Sequence, residues 1–296
     1  MTERLTEQAP GVSVAIPLHA SAPWVDNIVG NIRRLPDLVT EIVVSDRTVV
    51  DDAADQLRRL LADDHRVVVR SEALDLGWPE HFQLLMEEAT GDRFMWMPHD
   101  DIFEPSWIPV LDAALDRHPE AWIAFGRIEP VEADGVSPGP RPPYHPRPGP
   151  ISPARAAHLG IRGMGVAFRG LVRRREVIAA GVRVDNPAGD LDDPAVDIAW
   201  VLAVALRSGL VFDDRTATRK RYYGSSTSAQ WRRAPFSDVR QTIAVTDAAV
   251  PAGREGLRLR ALMWLGIARW GVRRPIGMAI NPARDRLHRR RSAGAR

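Results

Sequence analysis

Up to about residue 130, short apolar runs rich in β-branched and aromatic residues alternate with segments whose apolar positions recur every three or four residues. The runs Val12 to Pro17, Glu41 to Asp46, Arg66 to Arg70, Arg93 to Pro98 and Ala121 to Arg127 read as strands. Between them, Pro23 to Arg34, Asp51 to Leu61, Pro79 to Ala89 and Pro105 to Arg117 read as helices. The third of these opens on a proline, which a first helical turn tolerates. The strands are apolar at neighbouring as well as alternate positions, the mark of strands covered by helices on both faces. The alternation predicts right-handed βαβ units around a mainly parallel sheet, an α/β fold.

Such a sheet binds ligands beyond the carboxyl ends of its strands. Those ends carry Pro17-Leu18-His19, Ser45-Asp46-Arg47, Ser71-Glu72 and Pro98-His99-Asp100-Asp101. Acidic residues stand at three of the four, so a catalytic constellation in this half is expected to draw on them. The pattern then loosens. Proline and glycine crowd the segment from Glu132 to Pro153, which reads as a loop. Beyond it, Val172 to Ala180 and Pro194 to Ser208 read as helices and Leu210 to Thr218 as an extended run. The last forty or so residues begin helical and end as a basic tail.

Composition narrows the chemistry. The chain has no cysteine, which excludes disulfides and thiolate metal sites. A bound metal would sit on carboxylates or imidazoles, as Mg²⁺ or Mn²⁺ does. Met1 to Pro10 is polar and carries no apolar signal core, and no stretch of about 18 apolar residues is present. A soluble cytoplasmic protein is therefore expected. The net charge of +2 hides an asymmetry: from Arg254 to Arg296, twelve arginines stand against Glu255 and Asp285, so the preceding residues are net negative.

Carboxylates at a strand's end can hold a divalent ion against a diphosphate leaving group, whose charge grows as its bond breaks. An isolated Asp-Asp pair more often caps a turn. Here its surroundings matter. The run from Glu80 to Asp101 holds a helix ending in Ala89-Thr90-Gly91-Asp92, a strand with Phe94 and Trp96, and then His99-Asp100-Asp101. It resembles family 2 glycosyltransferases of the GT-A fold, with His99-Asp100-Asp101 as a variant of their Asp-x-Asp motif. Val12 to Pro17 and Val43 to Asp46 extend the likeness, which continues more weakly to about Ser228.

The resemblance implies a Rossmann-like central sheet flanked by helices, with a helical C-terminal extension. It implies transfer of a sugar from a nucleoside-diphosphate sugar to a glycan or lipid-linked hydroxyl acceptor in cell-envelope or glycoconjugate synthesis, with inversion. Asp46 would contact the base or ribose, and Pro17 and Leu18 would line the nucleotide pocket. Asp101 would ligate Mg²⁺ or Mn²⁺, Asp100 would contact the ribose or sugar, and His99 takes the motif's first position as a second candidate ligand. Ser45 and Arg47 depart from the usual neighbours of Asp46, and Gln83 replaces a common asparagine.

An inverting transferase needs a carboxylate to accept the hydroxyl proton. The run Leu191-Asp-Asp-Pro-Ala-Val-Asp197 before a helix ending at Gly209 matches that place, with Asp197 the best fit and Asp193 and Asp192 as rivals. Acidic residues also favour helix N-termini for electrostatic reasons alone. Arg219 and Arg221, with Lys220 between them, are candidate diphosphate contacts or a solvated face. In the tail, Leu257, Ala261, Trp264, Leu265, Ala268 and Val272 share one helical face beside many arginines, an arrangement suited to an anionic bilayer or to packing on the body. Nucleic acid is disfavoured by the acidic body. The expected organisation is a catalytic domain over 1–253, with a nucleotide half at about 11–130 and an acceptor half at about 154–230, then a basic amphipathic helix and tail over 254–296. Competing readings are a sugar-nucleotide nucleotidyltransferase, whose basic glycine-rich first loop is missing here, and a non-catalytic binding protein of the same fold.

Overall fold

The computed structural model describes residues 11–132, 145–159, 164–185, 196–223 and 249–266 of the 296-residue chain. Four parallel strands form its first half: β1 (Val12–Leu18), β2 (Val39–Asp46), β3 (Val67–Ser71) and β4 (Arg93–Trp96). All seven residues of β1 are buried, because it lies inside the sheet between β2 and β4 and is covered on both faces. The helices α1 (Val25–Ile32), α2 (Ala53–Leu60), α3 (Trp78–Glu88) and α4 (Trp107–Arg117) alternate with these strands. The expected helix from Pro23 begins as a single 3₁₀ turn, Ala22–Trp24, with Pro23 supplying its fixed φ, before α1 takes over.

Gly91, which ends the Ala-x-Gly turn before β4, has a steric reason to be glycine. A Cβ there would lie 2.5 Å from the Gly11 carbonyl oxygen, and the Gly91 N–H donates to Ser13 Oγ at 2.8 Å. The turn is thus pressed against the start of β1, which sets where β4 begins and hence where it ends.

The second half completes the sheet in the order β3-β2-β1-β4-β8-β6-β9-β5, with β7 also on β9. Here β5 is Ile102–Phe103, β6 Ile123–Glu132, β7 Gly149–Ile151, β8 Leu171–Arg173 and β9 Leu210–Tyr222. The parallel expectation holds for β1 to β4 and for β6 with β9, but β8 is antiparallel to both its neighbours, and β5 and β7 are antiparallel to β9. The run read as a helix from Val172 opens with β8, and α7 (Arg174–Ala179) follows directly. Within the segment read as a loop, β7 pairs with β9; its Pro150 is tolerated because β7 lies at the margin of the sheet. The remaining helices are α5 (Pro153–Leu159), α6 (Met164–Ala167), α8 (Val196–Arg207) and α9 (residues 254–266).

Two apolar clusters flank the sheet, one gathering α1, α2 and α4 and the other α3, α7 and α8. A third joins α9 to α5 and α8 through Leu259, Met263, Ala157, Leu202 and Leu206. Among the described residues, no helix is long and apolar enough to cross a membrane.

Candidate active site

The turn after β4 is held by asparagines. Asn27 and Asn31 lie one turn apart on α1, and both Nδ2 groups donate to the Asp101 carbonyl at 2.9 Å. Asn27 also reaches the His99 carbonyl at 2.8 Å. The main chain of 99–101 is thereby fixed, and its three side chains diverge. His99 turns toward the end of β1, with Nδ1 3.2 Å from Ser21 Oγ and 3.4 Å from the Pro17 carbonyl, and it stacks on Trp24 at 6.5 Å. Asp100 accepts from Tyr223 Oη at 3.0 Å, and Arg221 donates to its carbonyl at 2.6 Å. The Arg221 guanidinium lies 5.3 Å from the Trp24 ring, which also meets Tyr223 at 4.9 Å. His99, Trp24, Tyr223 and Arg221 therefore form one wall.

Asp101 is completely buried. Its Oδ2 accepts from Arg169 Nε at 2.5 Å, while its buried Oδ1 has no hydrogen-bond donor among the described residues. Arg169 sits in the turn between α6 and β8, where Trp107 Nε1 holds its carbonyl at 3.2 Å. Burial pushes the Asp101 carboxyl upward and Asp100 adds to this, against the pull of the Arg169 guanidinium. Burial works against the Arg169 charge, but Asp101 outweighs it and holds the guanidinium above its ordinary range.

Asp197 belongs to the same electrostatic cluster. It occupies the first turn of α8, where the Ile198 N–H donates to its Oδ1 at 2.7 Å. Burial raises its pKa; that N–H, Arg169 and Lys220 oppose the rise. Lys220, the only lysine in the chain, is lowered to about 8, first by the Arg169 charge and then by burial, with Asp101 and Asp197 pulling the other way. Asp100, Asp101 and Asp197 thus lie within charge–charge range of Arg169 and Lys220, with Asp101 the fully buried member.

Pro17 and Leu18 stand in register with Ser45 and Asp46 at the ends of β1 and β2. Asp46 is buried, and its Oδ1 accepts from Thr48 N (3.0 Å), Thr48 Oγ1 (3.1 Å) and Val49 N (3.0 Å). That oxygen serves the turn after β2, where Val49 adopts a positive φ of 48°. Arg219 is exposed, whereas Lys220 beside it is partly buried and within reach of the acids' charge. Alternation along β9 turns the two opposite ways, so Lys220 rather than Arg219 joins the cluster. Asp193 and Asp192 lie outside the described residues. Sequence reasoning missed Arg169, the Asn27–Asn31 clamp and the Trp24 wall. A lone arginine between Phe168 and Gly170-Leu171-Val172 was the available signal, since a charge inside an apolar run calls for a partner.

Do these residues suit a divalent cation? Among the described residues, no three His, Cys, Asp or Glu side chains converge on one point. The chain offers the orphan oxygen of Asp101, and a buried carboxylate oxygen without a donor is costly unless a cation meets it. Mg²⁺ is commonly held by one or two carboxylates together with substrate phosphates and water. In that manner the residues fit.

The glycosyl transferase family 2 model matches residues 13–178, more than half of the chain. The chain belongs to this family. The transferase is similar in fold to S. aureus TarS 1-349 in complex with UDP-GlcNAc, with a TM-score of 0.65 at 11% identity over 86% of this chain and 70% of that one. The TarS 1-349 structure in complex with UDP gives 0.64 at 11% identity, covering 88% and 71%. The mannosyltransferase PcManGT from Pyrobaculum calidifontis, in complex with GDP-Man and Mn²⁺, gives 0.50 at 15% identity, covering 88% and 81%. At these identities the likeness establishes the GT-A fold. No curated protein matches the transferase's sequence.

Proposed function

We propose that this transferase moves a sugar from a nucleoside-diphosphate sugar to a hydroxyl acceptor by single displacement with inversion, in cell-envelope or glycoconjugate synthesis. The observation that supports this most is Asp101, a fully buried carboxylate with one oxygen on Arg169 and the other unpartnered among the described residues, within charge range of the half-buried Asp197. Structural acids are normally satisfied on both oxygens. An unsatisfied one at the carboxyl end of a parallel strand suits a ligand that brings its own cation.

In this reading Asp101 would hold Mg²⁺ or Mn²⁺, which when bound would neutralise charge on the departing diphosphate. His99, whose Nδ1 serves the end of β1, is left to shape the nucleotide wall with Trp24. Pro17 and Leu18 present main chain to the nucleotide, and Asp46 offers its second oxygen to the ribose. Asp100 orients Tyr223 and Arg221 against the donor. Lys220 and Arg169 supply positive charge to phosphate oxygens. Asp197 takes the acceptor's proton, and its raised pKa makes it a better base than an exposed aspartate. Asp193 and Asp192 stay as rivals for that role. The acceptor is a glycan or a lipid-linked saccharide at the inner face of the membrane.

Calorimetric titration of UDP, GDP and dTDP, with and without Mn²⁺, tests the reading. Binding of one of them that needs Mn²⁺ and disappears in Asp101→Asn is expected. Absence of binding by all three, with and without the ion, would overturn it. A donor screen by mass spectrometry then identifies the sugar.

A further inference from the structure

α9 carries apolar residues on two faces. Its inner face, Leu259 and Met263 with Gly256, is buried against Ala157 of α5 and Ala199, Leu202 and Leu206 of α8. At 100° per residue, Leu257, Ala261, Trp264 and Leu265 lie on the opposite side. Leu257 and Leu265 are each 66% exposed and Trp264 39%. Packing within the chain therefore accounts for one face and leaves the other as an apolar stripe, beside the exposed Arg254 and Arg258, the latter 3.8 Å from the exposed Glu255.

From this stripe we infer that α9 docks the transferase on an anionic lipid bilayer. Charge identifies the occupant. Beyond α9, residues 267–296 carry nine arginines against the single acid Asp285, and Ala268 and Val272 continue the stripe's spacing in the sequence. A helix side that combines leucine, an interfacial tryptophan and flanking arginines matches the boundary of an anionic membrane, with hydrocarbon for the leucines and headgroup phosphates for the guanidinium groups. Nucleic acid offers no apolar phase for Leu257 and Leu265. A second copy of the chain would bring two strongly cationic segments together.

The face also has a position relative to the site. Through the third cluster, α9 shares its packing with Ile198 and Ala199, the residues after Asp197. Its end reaches α5, where a Cβ on Gly266 would lie 2.9 Å from the His158 carbonyl. A bilayer bound to α9 is thus one helix away from the first turn of α8, so an acceptor displayed at that surface lies on the Asp197 side. This orientation rests on the functional reading above; the docking itself does not.

The test uses the full chain with vesicles of phosphatidylcholine alone or with phosphatidylglycerol added. Deleting α9 would uncover Leu202 and Leu206, so the variant is Leu257→Glu with Leu265→Glu, both at exposed positions where circular dichroism and melting should stay as in the parent. Wild type is expected to co-sediment with the anionic vesicles at least about tenfold more than with neutral ones, and the double variant to lose about tenfold or more of that binding. Equal sedimentation of wild type and variant, or no preference for anionic vesicles, overturns docking. So does loss of a concentration-dependent dimer in the variant with no vesicle binding in wild type. Nucleoside diphosphate binding should be identical in both proteins, so a failure of docking leaves the catalytic reading untouched, and the reverse also holds.

Discussion

Two buried aspartates at the carboxyl side of this sheet are built differently. Asp46 closes β2, and three donors from Thr48 and Val49 converge on one of its oxygens. Asp101 follows β4 and receives no donor from its own turn. Its main chain is instead clamped by Asn27 and Asn31, its Oδ2 takes Arg169 from a distant turn, and its Oδ1 takes no donor among the described residues. The first carboxylate holds its loop together, and the second is held in place by the fold. A group that receives positioning without giving any is the one free to serve a ligand.

That contrast can be broken most directly at the second aspartate. Asp101→Asn should lower kcat by about three orders of magnitude or more and abolish Mn²⁺-dependent donor binding. Asp46→Asn should cost roughly tenfold in kcat/KM and on the order of 1 kcal/mol of stability through the lost turn. Equal kinetic losses would erase the distinction. Asp197→Asn should keep donor binding while lowering turnover by roughly two to four orders of magnitude in steady-state assays. Near-full activity there would pass the base role to Asp193 or Asp192.

Arg169→Met sharpens the same contrast through stability. It leaves the Asp101 carboxylate buried and unpaired, which is expected to cost about 3–5 kcal/mol in denaturant unfolding. With the Arg169 charge gone, a proton or a bound cation has to neutralise Asp101, so Mn²⁺ should raise the melting temperature of this variant more than that of wild type. Equal shifts would separate the ion from Asp101.

The smaller effects depend on pH. Lys220 loses its charge as pH rises through about 8, so donor affinity should fall above that point in wild type and stay level in Lys220→Arg. An unchanged slope in the variant removes Lys220 from the donor site. Near Asp46, the buried His81 faces Ser45 at 2.9 Å, and burial followed by the Arg47 charge lowers it from an ordinary 6.5 to about 4. The unfolded chain binds that proton first, so the His81 contribution is complete above about pH 6.5 and is lost as pH falls toward 4. The loss is roughly 3 kcal/mol. His81→Gln should flatten that part of the stability profile, and persistence of the slope would assign it elsewhere.

The first half of the fold was legible because its strands are long, apolar and separated by helices with clear spacing, as β1 and α4 show. In the second half β8 has only three residues, and α7 follows it without a break, so a helical pattern absorbs it. β7 was hidden behind Gly149 and Pro150, which signal loops unless an edge pairing accepts them. Asp101 could be located from the motif around Gly91, but its arginine partner is 68 residues away. Arg219 and Lys220 were indistinguishable in sequence because the register of β9 shifts opposite Phe125 and Arg127, which resets its alternation.

The scarcity of lysine has a practical consequence. Besides the amino terminus, Lys220 is the single primary amine of the chain, and its lowered pKa leaves a reactive neutral fraction near neutral pH. An acylating reagent therefore has one side-chain target, placed where the donor is expected to lie. The extent of its labelling, read by intact mass, becomes a direct gauge of how full the pocket is.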